Sequence, residues 1–309
     1  MRRAPVRPLV VQARSRAGAR GRERARALAE FVVTSPRTLY RYALTAPIAS
    51  GGSAEVYRGQ LLDLGVPVAV KRFRRGPDLD PGRHFHNEYP ALEGLSHPNI
   101  LTSYDAFQDE GFFYLVTELA TASLDQLRGT VRWSARDMAR AGTQIASALH
   151  YLHTRSSGPI VHQDVAPQNI FYFAEQGLFK LGDFNYSKPY GDAERAGVWR
   201  RGGYFAPEVA DGGPATALSD LFQLGLVLYF MASGEPPVSQ RLSVEEAAFQ
   251  IGGGVAAARV EAVGELPAAL RRCLMQLLQG DASRRYPSAA AVCAALRATG
   301  LVRNENSGA

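Results

Sequence analysis

The chain has 309 residues, enough for one two-lobed domain or two modest ones. Hydrophobic residues make up 46% of it, which excludes disorder over most of its length. The two cysteines, Cys273 and Cys293, stand in apolar stretches without a zinc or disulfide pattern, so we expect small buried side chains. The longest apolar run, residues 221–232, is shorter than the roughly 20 residues that cross a membrane. We therefore expect a cytoplasmic protein without a membrane span.

The positive charge of the chain is concentrated at its start. Residues 1–30 contain nine arginines and only two glutamates, so this segment accounts for more than the whole net charge of +6. We predict that residues 1–35 form a disordered, basic N-terminal extension. Such an arm can bind an acidic partner, but it can equally be a solvated extension without a partner, and both interpretations stay open.

The part of the chain after this extension has the pattern of a β-sheet. Five runs rich in β-branched and aromatic residues, separated by turn residues, predict strands. They cover residues 40–48, 56–61, 66–73, 101–108 and 112–118. A helix that ends near Leu95 is predicted between the third and fourth of them. We expect an antiparallel sheet accompanied by one helix.

From Ser123 onward helices dominate, with a polar, glycine-rich loop region between them at residues 169–208. The clearest case is residues 135–153, where apolar side chains recur at steps of three and four. Ser134 and Asp137 supply a capping signal at its start. Further helices are predicted at residues 219–233, 267–278 and 288–297. A small β lobe followed by a larger helical lobe leaves a cleft between them, where ligands commonly bind.

These patterns divide the chain into three parts. We predict the basic extension over residues 1–35, a two-lobed domain over residues 36–300 and a short tail over residues 301–309. Within the domain, the lobes are expected to meet near residue 120.

A glycine-rich turn lies between the first two predicted strands. It contains Gly51 and Gly52 and is flanked by Ile48 and Val56. A turn of this kind lets backbone N–H groups approach phosphates closely. By itself the pattern is equally compatible with an ordinary hairpin.

A lysine lies near the end of the third predicted strand, in the run Val68-Ala69-Val70-Lys71. A lysine cation at this place can neutralise phosphate charge if a carboxylate from the next helix holds it. Glu88 is the candidate for that carboxylate. The alternative is a surface lysine at the edge of a strand.

The strongest local motif is the run of residues 162–169, His-Gln-Asp-Val-Ala-Pro-Gln-Asn. Its Asp164 can accept a proton from a hydroxyl group, and Asn169, five residues later, can bind a metal ion. Asp183 follows a predicted hairpin and can bind a cation between phosphates. A lone His-x-Asp would carry no information, but this motif followed by Lys180-Leu181-Gly182-Asp183-Phe184 is a specific signal.

With these motifs in this order, the chain resembles the protein kinase superfamily in its bacterial serine/threonine kinase form. The resemblance covers residues 40–296 approximately. Ala206-Pro207-Glu208 resembles the end of the family's activation segment, and residues 219–225 resemble its buried anchoring helix. Arg285 resembles the arginine that pairs with Glu208. The fold implied is α+β and bilobal, with a small antiparallel β N-lobe containing one helix and a larger, mainly α-helical C-lobe.

The resemblance implies ATP-dependent phosphoryl transfer to serine or threonine hydroxyls of a protein, with ATP and Mg²⁺ as cofactors. Asp164 would be the catalytic base, and Lys71 would bind the α- and β-phosphates with Glu88 as its partner. Asn169 and Asp183 would hold Mg²⁺.

The same resemblance implies the pocket for ATP. Thr117 falls at the gatekeeper position, and the backbone of Glu118 and Ala120 would bind adenine at the hinge. The remaining ATP-binding residues would lie around the ring and the phosphates: Ile48, Gly51, Gly52, Val56, Ala69 and Phe171.

Some residues depart from the family pattern. Gln163 stands where many kinases have an arginine that grips a phosphate on the activation loop, and residues 185–204 contain no threonine and only Ser187 as serine. We therefore predict that serine or threonine phosphorylation of this loop does not switch the protein on. Ala166 replaces a lysine that contacts the transferred phosphate, and Arg200 or Arg201 is a candidate for the missing cation.

Asn185 replaces the glycine that follows Asp183 and Phe184 in the family. Asparagine tolerates the left-handed backbone region better than most residues with a side chain, so we expect the turn to survive there.

Two other functions stay open. The family's three-glycine pattern keeps only its middle glycine here, Gly51, with Ala49 and Ala54 at the outer places. This altered turn, together with Ala166 and Asn185, would suit a pseudokinase that binds nucleotide and acts as a scaffold. A small-molecule phosphotransferase would also carry the aspartate and asparagine of residues 164–169, although Glu208 and Arg285 argue against it. The sequence does not identify the protein substrate.

Overall fold

The computed structural model describes residues 37–51, 54–74, 92–189, 204–239 and 242–302, together with Phe85, Glu88 and Tyr89. Several predictions concern residues outside these ranges, namely the basic extension, Gly52, most of the tail and the pair Arg200 and Arg201.

The N-terminal lobe is built on a six-stranded antiparallel sheet with the strand order β1-β2-β3-β4-β6-β5. The strands are β1 (Arg37–Leu39), β2 (Tyr42–Ser50), β3 (Ala54–Leu61), β4 (Pro67–Phe73), β5 (Ser103–Asp109) and β6 (Phe112–Glu118). Five of them fall on the predicted runs, and β1 is an addition. Phe85, Glu88, Tyr89 and Leu92 are helical, at the place of the predicted helix.

Successive side chains of a strand point to opposite faces, so the two faces of this sheet pack against different parts of the protein. Val68 and Val70 of β4 point away from the cleft and are buried in a small apolar cluster with Leu39 and Tyr42. Phe73 belongs to the main core, which continues into the C-terminal lobe. The inner face of β4 therefore carries Ala69 and Lys71 toward the cleft.

The C-terminal lobe contains seven α-helices within the described residues. They are α1 (Ala135–His153), α2 (Pro207–Ala210), α3 (Ala217–Ser233), α4 (Val244–Gly252), α5 (Val255–Ala262), α6 (Ala268–Leu277) and α7 (Ala289–Ala298). Helix α1 has the predicted bounds, and the Ser134–Asp137 capping box forms at its start. Helices α2, α4 and α5 are additions to the prediction.

Short strands line the cleft side of this lobe. They are β7 (Ala122–Ser123), β8 (Ile160–Val161), β9 (Ile170–Phe173), β10 (Leu178–Leu181) and β11 (Lys188–Pro189). Strand β9 pairs with β10 and β7, and β8 pairs with β11. The β9–β10 hairpin leads directly to Asp183.

Helix α3 is the centre of the lobe and is buried along nearly its whole length. Thr216 caps its first turn, and Gly234, in the left-handed region, ends it. Helix α6 packs closely against it, since a Cβ atom added at Gly225 would lie 2.9 Å from Leu277 Cβ. This tight packing makes α3 a rigid support for the loops above it.

The predicted pair of Arg285 and Glu208 forms below the cleft. Two hydrogen bonds of 2.9 and 2.7 Å join the guanidinium to the two carboxylate oxygens. Arg285 also donates to the carbonyl oxygens of Leu218, Gln279 and Gly280. Burial would raise the pKa of Glu208, but the hydrogen bonds from Arg285 and Ser219 outweigh it and lower that pKa. The pair therefore fixes α2 to the turn after α6.

Other predictions about the chain can be compared with this structure. The bilobal α+β architecture is confirmed. Both cysteines are buried free thiols, as expected. Among the described residues, every helix is too short or too polar to cross a membrane.

Candidate active site

Three charged side chains from different elements meet at the inner face of the sheet. Lys71 Nζ lies 2.7 Å from Glu88 Oε2 and 3.3 Å from Asp183 Oδ1. Lys71 comes from β4, Glu88 from the helical segment before β5 and Asp183 from the chain after β10. The structure therefore brings together the predicted lysine, its predicted partner and the predicted cation ligand.

Burial changes the acidity of this group. It raises the pKa of Glu88 to about 7, against the attraction of Lys71, which acts the other way. Burial alone would lower the pKa of Lys71, but the charges of Asp183 and Glu88 outweigh it, so the net shift is upward. Lys71 therefore keeps its proton at neutral pH, whereas the pKa of Glu88 lies close to neutral pH.

We expect Glu88 to make the stability of the nucleotide-free protein depend on pH. Its folded-state pKa lies above its unfolded value, so its contribution to stability is greatest at low pH and is lost as the pH rises through about 7. Urea unfolding of the unaltered protein and Glu88→Gln at pH 6 and pH 8 tests this. The stability of the unaltered protein relative to the variant should fall from pH 6 to pH 8; an equal difference at both values would contradict the assignment.

The loop with the predicted base is fixed by its own asparagine. Asn169 Nδ2 donates to Asp164 Oδ2 and to the Asp164 carbonyl oxygen, both at 2.8 Å. Both residues are buried. This contact uses the nitrogen of the Asn169 amide, so the amide oxygen is the atom available to bind a cation.

Helix α3 supports the same loop from below. Asp220, fully buried, accepts hydrogen bonds of 2.8 Å from the backbone N–H groups of His162 and Gln163. Its Oδ2 also lies 2.8 Å from His153 Nε2. Gln163 has a φ of 66°, in the left-handed region that residues with side chains seldom adopt. The bonds to Asp220 compensate for that strained turn and fix the chain next to Asp164.

The turn after β10 differs from the sequence prediction. Asp183, with a φ of 61°, occupies the left-handed region, and Asn185 does not. Asn185 Nδ2 instead donates to Asp183 Oδ1 at 2.7 Å. The expectation that Asn185 preserves the turn through a left-handed backbone was therefore wrong, because its side chain holds Asp183 directly. Phe184 between them is buried against the ring of His162.

The predicted residues around adenine share the inner face of the sheet. Ala69 is paired with Thr117 across β4 and β6, and Val56 of β3 is paired with Lys71. Phe171 belongs to β9 of the other lobe, and a Cβ atom added at Gly182 would lie 2.9 Å from its ring. Gly182 therefore makes room for an aromatic side chain beside Asp183.

The predicted hinge has a charged contact that the sequence analysis missed. Lys180 Nζ lies 2.7 Å from Glu118 Oε1, and the Thr102 N–H donates to the same oxygen at 2.7 Å. The Glu118 side chain is thus bound to Lys180 of β10. Ala120, two residues after Glu118, is half-buried. A separation of 62 residues hides this pair from any local pattern.

The glycine-rich turn is open at its described end. Gly51 N–H donates to the Ala54 carbonyl at 2.9 Å, which closes the hairpin. Among the described residues, a Cβ atom added at Gly51 would meet only that carbonyl oxygen, at 3.8 Å, so none of them fills the space above it. Ile48 lies half-buried on the arm before it. This space allows the backbone to approach a phosphate.

The donor set of the cleft fits a nucleotide with a divalent cation. Asn169 and Asp183 offer amide and carboxylate oxygens, the ligand type that hard cations prefer. Lys71 offers a cation for phosphate oxygens, and Gly51 leaves space beside the backbone. The residues present therefore have the chemistry that a nucleotide with a divalent cation requires.

The protein kinase domain family matches residues 42–295. This match covers more than half of the chain, and the chain therefore belongs to the protein kinase domain family. Membership implies ATP and a divalent metal ion as cofactors.

Three relatives illustrate the sequence similarity of this chain to protein kinases. The DNA damage-responsive serine/threonine-protein kinase RqkA of Deinococcus radiodurans is 36% identical over 212 residues, covering 66% of this chain and 31% of the relative. The probable serine/threonine-protein kinase PknB of Bifidobacterium longum is 31% identical over 268 residues, covering 81% and 38%. Serine/threonine-protein kinase PrkC of Bacillus subtilis is 29% identical over 204 residues, covering 64% and 31%. The matched region spans about a third of the length of these relatives.

Proposed function

We propose that this protein transfers the γ-phosphoryl group of ATP to serine or threonine hydroxyls of a protein substrate. The observation that carries the proposal is the bridge of Lys71 between Glu88 and Asp183, with bonds of 2.7 and 3.3 Å. A bridge of this kind places the positive charge of Lys71 beside Asp183, which can bind a metal ion. The oxygens of a triphosphate carry negative charge that both the lysine and the metal ion would neutralise. The names of the relatives support serine and threonine as acceptors.

Each charged residue has a separate task in this proposal. Lys71, oriented by Glu88, binds the α- and β-phosphates. Asp164 accepts the proton of the attacking hydroxyl, and Asn169 keeps its carboxylate in place through the 2.8 Å contact. Asn169 and Asp183 would hold Mg²⁺, which neutralises phosphate charge when bound. Catalysis is then mainly positioning and charge stabilisation by prearranged groups.

The adenine ring is proposed to bind between the two lobes. Val56 and Ala69 would cover it from the sheet, and Phe171 from β9. Thr117 would limit the depth of the pocket, and the backbone of Glu118 and Ala120 would bind the ring edge. Ile48, Gly51 and Gly52 would cover the nucleotide from the hairpin. An acidic partner for residues 1–35 stays a prediction from charge alone.

Ala166 favours a second candidate, a pseudokinase scaffold. Its methyl side chain is fully buried beside Asp164 and cannot contact the transferred phosphate as the family's lysine does. In this case the cleft would bind nucleotide without turnover, and the chain would act through a partner.

An assay with radiolabelled ATP separates these candidates. The purified protein is incubated with a generic protein substrate, with Mg²⁺ or with EDTA, and the labelled amino acids are identified after hydrolysis. Label on serine or threonine that requires Mg²⁺ would support the kinase. Binding of Mg²⁺ and ATP without any transfer would favour the scaffold, and label on a small molecule instead of protein would favour the small-molecule phosphotransferase.

A further inference from the structure

A buried glutamine of α3 connects two functional segments. Gln223 is only 4% exposed and lies one helical turn after Asp220. Its Oε1 accepts from the Val165 N–H at 3.2 Å. Its Nε2 donates to the carbonyl oxygens of Gln163 at 2.9 Å and Tyr204 at 3.0 Å. One side chain therefore holds three backbone groups from two separate parts of the chain.

The two parts are those that a kinase must align. Gln163 and Val165 are the neighbours of Asp164, so their positions determine where its carboxylate points. Tyr204 begins the segment that leads into α2, in which Phe205 and Ala206 are also buried. Gln223 thus joins the loop of the base to the segment that would receive the protein substrate.

The chemistry of the amide explains why glutamine suits this place. The two N–H groups of Nε2 each meet a carbonyl, and Oε1 meets an N–H. The reverse orientation of the amide would set its oxygen against two carbonyl oxygens, so only one orientation satisfies all partners. A fully satisfied buried network of this kind specifies one arrangement of the segments it joins.

We propose that Gln223 is a positioning residue that holds the segment at Tyr204 against the catalytic loop without any phosphate. The proposal rests on the kinase activity proposed above. Gln163 is neutral, so the loop offers no cation at this position to capture a phosphate. The amide of Gln223 supplies a permanent, uncharged connection instead. The described residues from Tyr204 to Ala210 are therefore held in place beside the catalytic loop in the unmodified protein.

The variant Gln223→Glu tests this with little change in volume. A carboxylate still accepts from Val165 N–H but places oxygen against the carbonyls of Gln163 and Tyr204. We expect kcat/KM for the protein substrate to fall by about tenfold or more, with an unchanged KM for ATP. The matched control is Gln144→Glu, because Gln144 Oε1 only accepts from Phe179 N–H, at 2.7 Å, and glutamate keeps that bond. The proposal would be overturned if kcat/KM for the protein substrate fell equally in both variants, or if Gln223→Glu also raised the KM for ATP.

Two further measurements keep the proposal testable if the variant does not fold or the protein shows no turnover. In the unaltered protein, phosphatase treatment should leave kcat/KM unchanged, and loss of activity on dephosphorylation would overturn the proposal. Amide exchange needs no activity: residues 204–210 should exchange faster in Gln223→Glu than in Gln144→Glu, and equal exchange would overturn the connection. A folded protein without turnover would refute the proposed function, while the exchange result would still decide the role of Gln223.

Discussion

Replacing Asp164 by asparagine should lower kcat by about 10²–10⁴-fold, the usual contribution of a general base. Asparagine has nearly the same shape but cannot accept the proton of the substrate hydroxyl. Its amide oxygen can still accept from Asn169 Nδ2, which donates to Asp164 Oδ2 at 2.8 Å in the unaltered protein. The loop should therefore keep its conformation, and the affinity for the nucleotide should change by less than about twofold.

Steady-state kinetics and calorimetric binding of a non-hydrolysable ATP analogue measure the two quantities separately. Asp63→Asn is the matched control, because Asp63 is an exposed aspartate in the turn between β3 and β4, and it should change neither. Full activity of Asp164→Asn would assign the base to another residue. Loss of nucleotide binding together with activity would show a structural role for Asp164 instead.

Replacing Arg285 by alanine should destabilise the protein by about 3–5 kcal/mol, the cost of breaking a buried ion pair. The side chain of Arg285 is completely buried, and it donates to Glu208 and to three carbonyl oxygens. Its removal takes a donor from the three carbonyl oxygens and, among the described residues, leaves Glu208 with Ser219 as its remaining side-chain donor. It also opens a cavity beside Phe222, over whose ring the guanidinium lies. The effect should therefore be among the largest of any single substitution outside the cleft.

Urea unfolding measures this loss, and the neighbouring residue supplies the control. Arg284 is 75% exposed, so Arg284→Ala should change the free energy of unfolding by less than about 0.5 kcal/mol. A similar small change in Arg285→Ala would mean that the pair with Glu208 contributes little to the fold.

Much of the fold follows from local patterns in the sequence. Strand β6 and helix α1 have their predicted bounds, because a run of aromatic and β-branched residues after Gly111 marks the strand and a capping box marks the start of the helix. Strand β1 was missed because it has only three residues, too few to show an alternation of apolar and polar side chains. Helices α4 and α5 were missed because three glycines, residues 252–254, interrupt the helical period.

The candidate site was predictable only in part. Lys71, Asp164, Asn169 and Asp183 stand in short motifs whose spacing can be read directly. Other contacts around the site join residues that are far apart in the chain: Gln223 lies 60 residues from Gln163, and Lys180 lies 62 residues from Glu118. Such pairs are created by tertiary packing, and a single sequence contains no local signal for them.

The two buried cysteines make the protein convenient for spectroscopy. Burial raises the pKa of the Cys293 thiol, and a protonated, enclosed thiol reacts slowly with alkylating reagents. A cysteine introduced at an exposed position would therefore react first and carry a single fluorophore or spin label. One such label on each lobe would report the opening and closing of the cleft as a distance, without removal of the native thiols.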